Sequence, residues 1–290
     1  VYRKNSSGSY QLLGSTTGTS YTDKGLAEGT VYYYKVQSYT GSGDSKVPGN
    51  FVSTVSGATS ISGTSLSGQG TAFNTLKFTW KKVPGASGYQ LQRYDSSKKA
   101  FSATKTVNGG SVTSCTSTDK NASTTYKWRI RAFKKTSAGT VYSAWSSPIN
   151  VKTKGAVYGR VKVSKLYVRS GAGTSYKKLK TVKKNTKIKI TGTKGSWYRV
   201  SVKVGRKTKT GYVQQKRILR YPGKTTSVKA TARSFDKIKL TWKKVSGASG
   251  YQIQRYNSSK KKYVTVKTIT KGSTTSYTNG SLNSSTTYKY

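Results

Sequence analysis

The segment Leu76 to Tyr94, LKFTWKKVPGASGYQLQRY, returns 162 residues later as Ile238 to Tyr256, IKLTWKKVSGASGYQIQRY, with exchanges only at Leu76/Ile238, Phe78/Leu240, Pro84/Ser246 and Leu91/Ile253. Such a repeat means duplicated structural modules, so the chain must fold as an array and not around one large core. Three of the exchanges swap one apolar residue for another at alternate positions, the way the buried face of a β-strand drifts while its pattern is kept. The offset persists without a gap: Cys115 falls on Tyr277, and STTYKW at Ser123 to Trp128 falls on STTYKY at Ser285 to Tyr290. A third, partial copy stands at the start, where TSYTDKGLAEGTVYYYKV, Thr19 to Val36, matches TSYTNGSLNSSTTYKY, Thr275 to Tyr290. An array points to a polymer or surface partner before it points to an active site.

Inside each copy the apolar residues recur with a period of two. Leu76, Phe78 and Trp80 share one face of a strand; Tyr126, Trp128 and Ile130 share another, with Lys127, Arg129 and Arg131 opposite. This alternation fits half-buried antiparallel strands, and no helical period competes with it. Turn clusters such as PGASG at Pro84 to Gly88, SSKK at Ser96 to Lys99 and LAEGT at Leu26 to Thr30 divide the runs at short, regular spacing, as sandwich hairpins require. The expected fold class is all-β.

The charge balance narrows the partner. Lys and Arg number 54 against 6 Asp and Glu, a formal net charge of +48. That is far more than solubility needs, and the chain repels itself unless an anionic partner or ionic strength screens it. Arg is a small minority of the cations, so the surface suits nonspecific polyanion attachment better than base-edge reading. A basic surface with no dedicated ligand is the bland alternative.

Catalysis lacks its usual residues. There is no His, which rules out Ser-His-Asp and Cys-His arrangements and the imidazole metal ligands, and one cysteine, Cys115, forms no intrachain disulfide. Cys115 stands where the other copies have Tyr21 and Tyr277, on a strand facing the core, and reads as an inert packed thiol. The acidic residues are Asp23, Glu28, Asp44, Asp95, Asp119 and Asp236. Hydrolysis by paired carboxylates needs two at a fixed separation, and the one close pair, Asp23 and Glu28, sits in a turn where capping is the expected role. SGAGTS, Ser170 to Ser175, lacks the Lys-Ser/Thr and the helix of a phosphate loop and reads as a turn. No catalytic residue, metal site or cofactor is expected. No apolar run is long enough to span a membrane, and the amino end lacks the pattern of a signal peptide. Both ends fall on strand-like sequence, as in a piece of a longer polypeptide.

Three features together resemble the fibronectin type III family in its bacterial surface-protein form: Trp80 and Trp242, the GYQLQR or GYQIQR strands, and a Leu-x5-Tyr corner at Leu26 to Tyr32 and Leu282 to Tyr288. The resemblance implies a corner in which the Tyr hydroxyl bonds nearby backbone while its ring fills the core. In the middle copy Lys120 replaces the Leu, and a less well packed corner is expected there. Between the middle and last copies, LYVRSGAGTSYKKLKTVKKNTKIKITGTKGSWYRVSVKVGRKTKTGYVQQKRI, Leu166 to Ile218, is similar to the bacterial SH3 domain. Tyr167 stands where that family has Asn and Tyr212 where it has Trp. The expected organisation is a partial fibronectin-like domain at 1–58, a fibronectin-like sandwich at 59–155, an SH3-like small β-barrel at 156–221 and a further partial fibronectin-like domain at 222–290.

Alternation in the SH3-like segment turns aromatics outward. Leu166 and Val168 face in, leaving Tyr167 and Arg169 out; Tyr198, Val200 and Val202 face in, leaving Trp197 and Arg199 out. With Tyr176 and Tyr212 these form a candidate groove for an extended peptide or glycan, rings stacking on apolar faces and cations meeting carboxylates or phosphates. The alternative is that Trp197 and Tyr176 pack under a loop and complete a small core. By resemblance, SH3-like modules of this type bind peptidoglycan and fibronectin-like modules act as spacers. The expectation is a noncatalytic, secreted, cell-wall-associated region whose partners are peptidoglycan and anionic wall polymers such as teichoic acid. A structural adhesin or stalk segment, and nonspecific binding of extracellular nucleic acid through charge, are the competing readings.

Overall fold

The computed structural model describes residues 1–290 apart from the side chain of Ala103. Regular structure is strand throughout, with two short 3-10 segments, Gly43–Ser45 and Gln215–Arg217, and no α-helix among the described residues. The chain is all-β. It gathers into two compact units, Val1–Ala156 with Thr191–Gly195, and Val157–Ile190 with Ser196–Tyr290.

In the first unit the middle copy is a two-sheet sandwich. The Thr75–Trp80 strand lies between Ser114–Ser117 and Leu66–Ala72; in the other sheet Gly88–Asp95 lies between Ala100–Asn108 and Thr125–Thr136, which also pairs with Gly139–Tyr142 and Ile149–Lys152. Alternation sets Leu76, Phe78 and Trp80 against Tyr89, Leu91, Trp128, Ile130 and Ala132, all buried. Phe78 meets Trp128 at 4.9 Å between ring centroids and Trp80 meets Tyr89 at 5.2 Å. Burying each such side chain is worth about 1.5–3 kcal/mol, which is what closes the sheets on each other.

Upstream in the same unit, Tyr2–Lys4 pairs with Gln11–Leu12 and Val31–Lys35, and Val31–Lys35 pairs with Val55–Ala58. Asp23 and Glu28 do not cap a turn together. Asp23 accepts two bonds from Arg3, at 2.9 and 3.0 Å, and one from the Tyr34 hydroxyl at 2.8 Å. Burial, followed by the bond to Asp23, pushes the Tyr34 hydroxyl up to about 12. Glu28 instead accepts from the Ser62 amide and hydroxyl at 2.8 and 2.6 Å, which holds its carboxyl below the usual range. The two carboxylates are thus committed to different partners and form no acid/base pair.

All three copies build the tyrosine corner. The backbone N–H of Ala27, Asn121 and Asn283 donates to the hydroxyl of Tyr32, Tyr126 and Tyr288 at 3.0, 2.8 and 2.8 Å. The expectation of a poorly packed middle corner is overturned. Lys120 is 9% exposed, its stem occupying the place of Leu, and its ammonium donates to the Thr118 carbonyl at 2.8 Å while lying 5.9 Å from the rings of both Tyr126 and Trp128.

A seven-stranded sheet, in the second unit but for its residues 191–194, follows the order Lys178–Lys183, Lys165–Arg169, Lys207–Gln214, Trp197–Val204, Lys187–Lys194, Val157–Val161, Ile218–Arg220. Inward residues Val161, Leu166, Val168, Ile190, Val200 and Val213 are almost wholly buried, the core of a small barrel. Downstream, Lys237–Thr241 lies between Lys229–Ser234 and Ser276–Asn279, and Tyr251–Asn257 pairs with Lys262–Ile269. There the duplication reappears as geometry. Trp242 meets Tyr251 at 5.2 Å, and the Tyr251 hydroxyl accepts from the Val245 amide at 3.0 Å, as that of Tyr89 accepts from Val83 at 2.9 Å. A Cβ on Gly110 or Gly272 would fall 1.8 Å from the carbonyl oxygen of Ala86 or Ala248, so both copies need glycine there.

Candidate functional site

Three strands of the second unit carry five of the six candidate residues, and Tyr176 lies in the turn that follows the first of them. Arg169 stands opposite Tyr212, and Tyr212 opposite Arg199. Opposed residues on neighbouring strands project to one side, so the three form a row of cation, aromatic ring and cation. Trp197 stands opposite Gln214 one step along, two residues from Arg199 and Tyr212 and hence on the same face. Trp197, Arg199 and Tyr212 are half-buried; Tyr167 and Tyr176 are exposed.

A groove of about 220 Å³ opens at one end of this row, floored by Leu166 and lined by Tyr167, Arg169, Thr174, Trp197, Gln214 and Arg217. Three of the six expected residues therefore line it directly: Tyr167, Arg169 and Trp197. Tyr176 contributes through its backbone, its carbonyl accepting from the Arg169 guanidinium at 2.8 Å. Its ring lies against the turn, where a Cβ on Gly171 would come within 2.4 Å of Tyr176 Cδ1. Arg199 and Tyr212 continue the row outside the groove lining. The Lys178 ammonium sits 4.4 Å from the Tyr167 ring centroid, leaving that ring cation-backed.

The expected contrast between the faces of Trp197–Val204 is blunted. Val200 is buried, but Tyr198 and Val202 are half-buried, and so are Trp197 and Arg199. Both faces of the strand are therefore partly covered. Trp197 is accordingly neither a core residue nor a free plate: one part is packed and the rest lines the groove.

Thr174, Gln214 and Arg217 were not anticipated. Gln214 follows Tyr212 by two and was reachable by alternation alone. Thr174 comes from a turn and Arg217 from the Gln215–Arg217 3-10 segment, where no period applies; the Arg217 Nε donates to Gln214 Oε1 at 2.7 Å and so joins the groove wall.

Chemically the groove offers ring faces, two guanidiniums, the Gln214 amide and the Thr174 hydroxyl. It has no nucleophile with an adjacent base. Its volume is below the roughly 300–1,000 Å³ of enclosed small-molecule sites, which suits a short stretch of an extended chain. A larger cavity of about 360 Å³ lies in the last copy, lined by Leu240, Trp242, Tyr251 and Ile253 among others. Those residues correspond to Phe78, Trp80, Tyr89 and Leu91, which are core in the middle sandwich, so this is core space.

Residues 164–218 match the family model described as bacterial SH3 domain. A stretch of 148 residues, 49% of the chain, is 30% identical to Exoglucanase B of Cellulomonas fimi; it spans 13% of that protein. Among solved structures, the crystal structure of the chicken CNTN1 FN1-FN3 domains aligns over 91% of this chain and 71% of that one, at 16% identity and a TM-score of 0.32.

Proposed function

We propose that this chain is a noncatalytic binding and spacer region of a secreted, cell-wall-associated protein, in which the barrel holds a peptidoglycan strand or its stem peptide and the sandwiches act as spacers. The observation that carries this reading is the groove of Tyr167, Arg169 and Trp197 on the segment matched by the bacterial SH3 model. Sugar rings and aliphatic side chains stack on the aromatic faces, while Arg169 and Arg217 meet carboxylates. The lysine-rich strands add attraction to the phosphates of teichoic acid, and repetition along a polymer supplies avidity without one tight site. Because the Debye length is about 8 Å at physiological salt, that added attraction fades as salt rises while the groove contacts persist.

Pull-down on purified sacculi tests this. Trp197→Ala is expected to lose most retention at high salt, where charge is screened, and to keep part of it at low salt. Retention equal to wild type at both salts would end the groove reading. The match to Exoglucanase B favours a second reading, a spacer within a secreted polysaccharide-acting enzyme. It predicts that this chain alone is retained neither on sacculi nor on an insoluble glucan.

A further inference from the structure

The outer face of the middle sandwich carries a second cationic assembly that neither the groove nor the core requires. Arg129 and Arg131 project from Thr125–Thr136 on the side away from Trp128 and Ile130. Each guanidinium is held at two nitrogens by one glutamine of the neighbouring strand: Arg129 Nε and Nη2 donate to Gln92 Oε1 at 3.1 and 2.7 Å, Arg131 Nε and Nη2 to Gln90 Oε1 at 3.0 and 2.8 Å. Rings fix the planes. Arg129 Cζ lies 4.2 Å from the Phe101 centroid, Arg131 Cζ lies 3.7 Å from Tyr142, and both lie 4.5 Å from Trp145. Trp145 is itself anchored, since Ser143 and Ser146 on either side accept at Oγ from the Ala132 and Ile130 amides at 2.9 and 3.1 Å.

Two like charges are therefore held beside one indole by neutral partners. No carboxylate pairs with them: the one ion pair among the described residues is Arg3 with Asp23, and Asp95, at the end of the strand that carries Gln90 and Gln92, accepts from Ser97 and Lys98. Burial, and after it the charge of Arg131, lowers the Arg129 guanidinium, the sign of a pair that gains from an added anion. The arrangement is absent from the first copy. In the first copy the corresponding positions are Lys35 and Gln37.

We propose that Arg129 and Arg131 form a binding site for a phosphodiester-linked wall polymer of the poly(glycerol phosphate) type, with one phosphate on each guanidinium. Residues two apart on a strand repeat at about 7 Å, and the six bonds between successive phosphorus atoms of such a chain span a comparable length. Preset guanidinium planes suit phosphate oxygens better than mobile ammonium groups do. Nucleic acid fits less well, because single strands bind by stacking bases on open rings, and Phe101, Tyr142 and Trp145 already carry guanidiniums. The choice of a wall polymer rests on the cell-wall reading above, but the site belongs to the sandwich, so Trp197→Ala should leave it intact and the groove reading can fail without it.

The test uses the whole chain and a short synthetic poly(glycerol phosphate), followed by calorimetry and by the Arg side-chain Nε–H signals of the wild type. Arg129→Lys/Arg131→Lys keeps every charge and removes the forks; binding should weaken about tenfold, the worth of one charge-assisted contact. Lys152→Gln/Lys154→Gln, which removes two charges elsewhere on the unit, should change it less than about twofold. Unchanged affinity in the double Lys variant, an equal loss in the double Gln variant, or still Arg129 and Arg131 signals during titration of the wild type would overturn the proposal. So would equal affinity for polyglutamate or oligothymidylate at matched charge. Because the wild-type signals need no variant, a misfolded double Lys protein would not rescue the idea.

Discussion

Lys120 shows how a single position departs from its copies without losing the local structure. Its counterparts Leu26 and Leu282 fill the tyrosine corner with an isobutyl group, and the lysine stem does the same while its ammonium reaches a carbonyl. The cost is electrostatic. Burial, and after it the nearby Arg93 charge, lowers the Lys120 pKa. A lysine whose native value is lowered leaves the unfolded state holding more protons, so its contribution to stability rises with pH through that lowered value toward the ordinary lysine range. Lys120→Leu should therefore stabilise the first unit by about 1 kcal/mol at neutral pH, and the gain should shrink as pH rises toward about 10. Denaturant unfolding at the two pH values measures this; a gain that grows with pH would contradict it. Cys115, by contrast, behaves as its pattern suggested, half-buried against the core with its thiol pushed up by burial.

At the scale of strands and turns, period-two reading located the sheets well. Leu76, Phe78, Trp80, Leu166, Val168 and Val200 all point into cores as their spacing required. It located the groove only partly. Tyr167, Arg169 and Trp197 came from strands and were legible; Thr174 and Arg217 came from irregular backbone, whose side-chain directions are set by turn geometry and not by spacing. Half-burial of Tyr198 and Val202 escaped for another reason, because alternation gives two faces but not how far each is covered. The 170–176 turn is where local backbone and site meet. Gly171→Ala would push a methyl into the Tyr176 ring, displacing the carbonyl that holds Arg169. Sacculus retention should fall several-fold while the barrel core, and hence its thermal midpoint, is little changed; unaltered retention would detach this turn from the site.

For the molecule as a whole, charge acts twice and in opposite directions. A net charge of +48 with one ion pair among the described residues leaves self-repulsion largely uncompensated. Raising salt shortens the Debye length from about 30 Å at 0.01 M to about 8 Å at 0.15 M. The thermal midpoint should thus rise over this range while wall retention falls, and scanning calorimetry beside pull-down separates the two. A midpoint that falls with salt would mean that the cations are already paired.

The 162-residue spacing between near-identical strand–turn–strand segments also bears on how the chain is made. Identical neighbours can exchange strands while both are unfolded, a known failure of repeat proteins. Ribosomes add about 5–20 residues per second, so the later segment emerges roughly 8–30 s after the earlier one, whereas sandwiches close in about milliseconds to seconds. The earlier Trp80–Tyr89 core has time to seal before its twin exists, and the intervening barrel serves as a delay during synthesis.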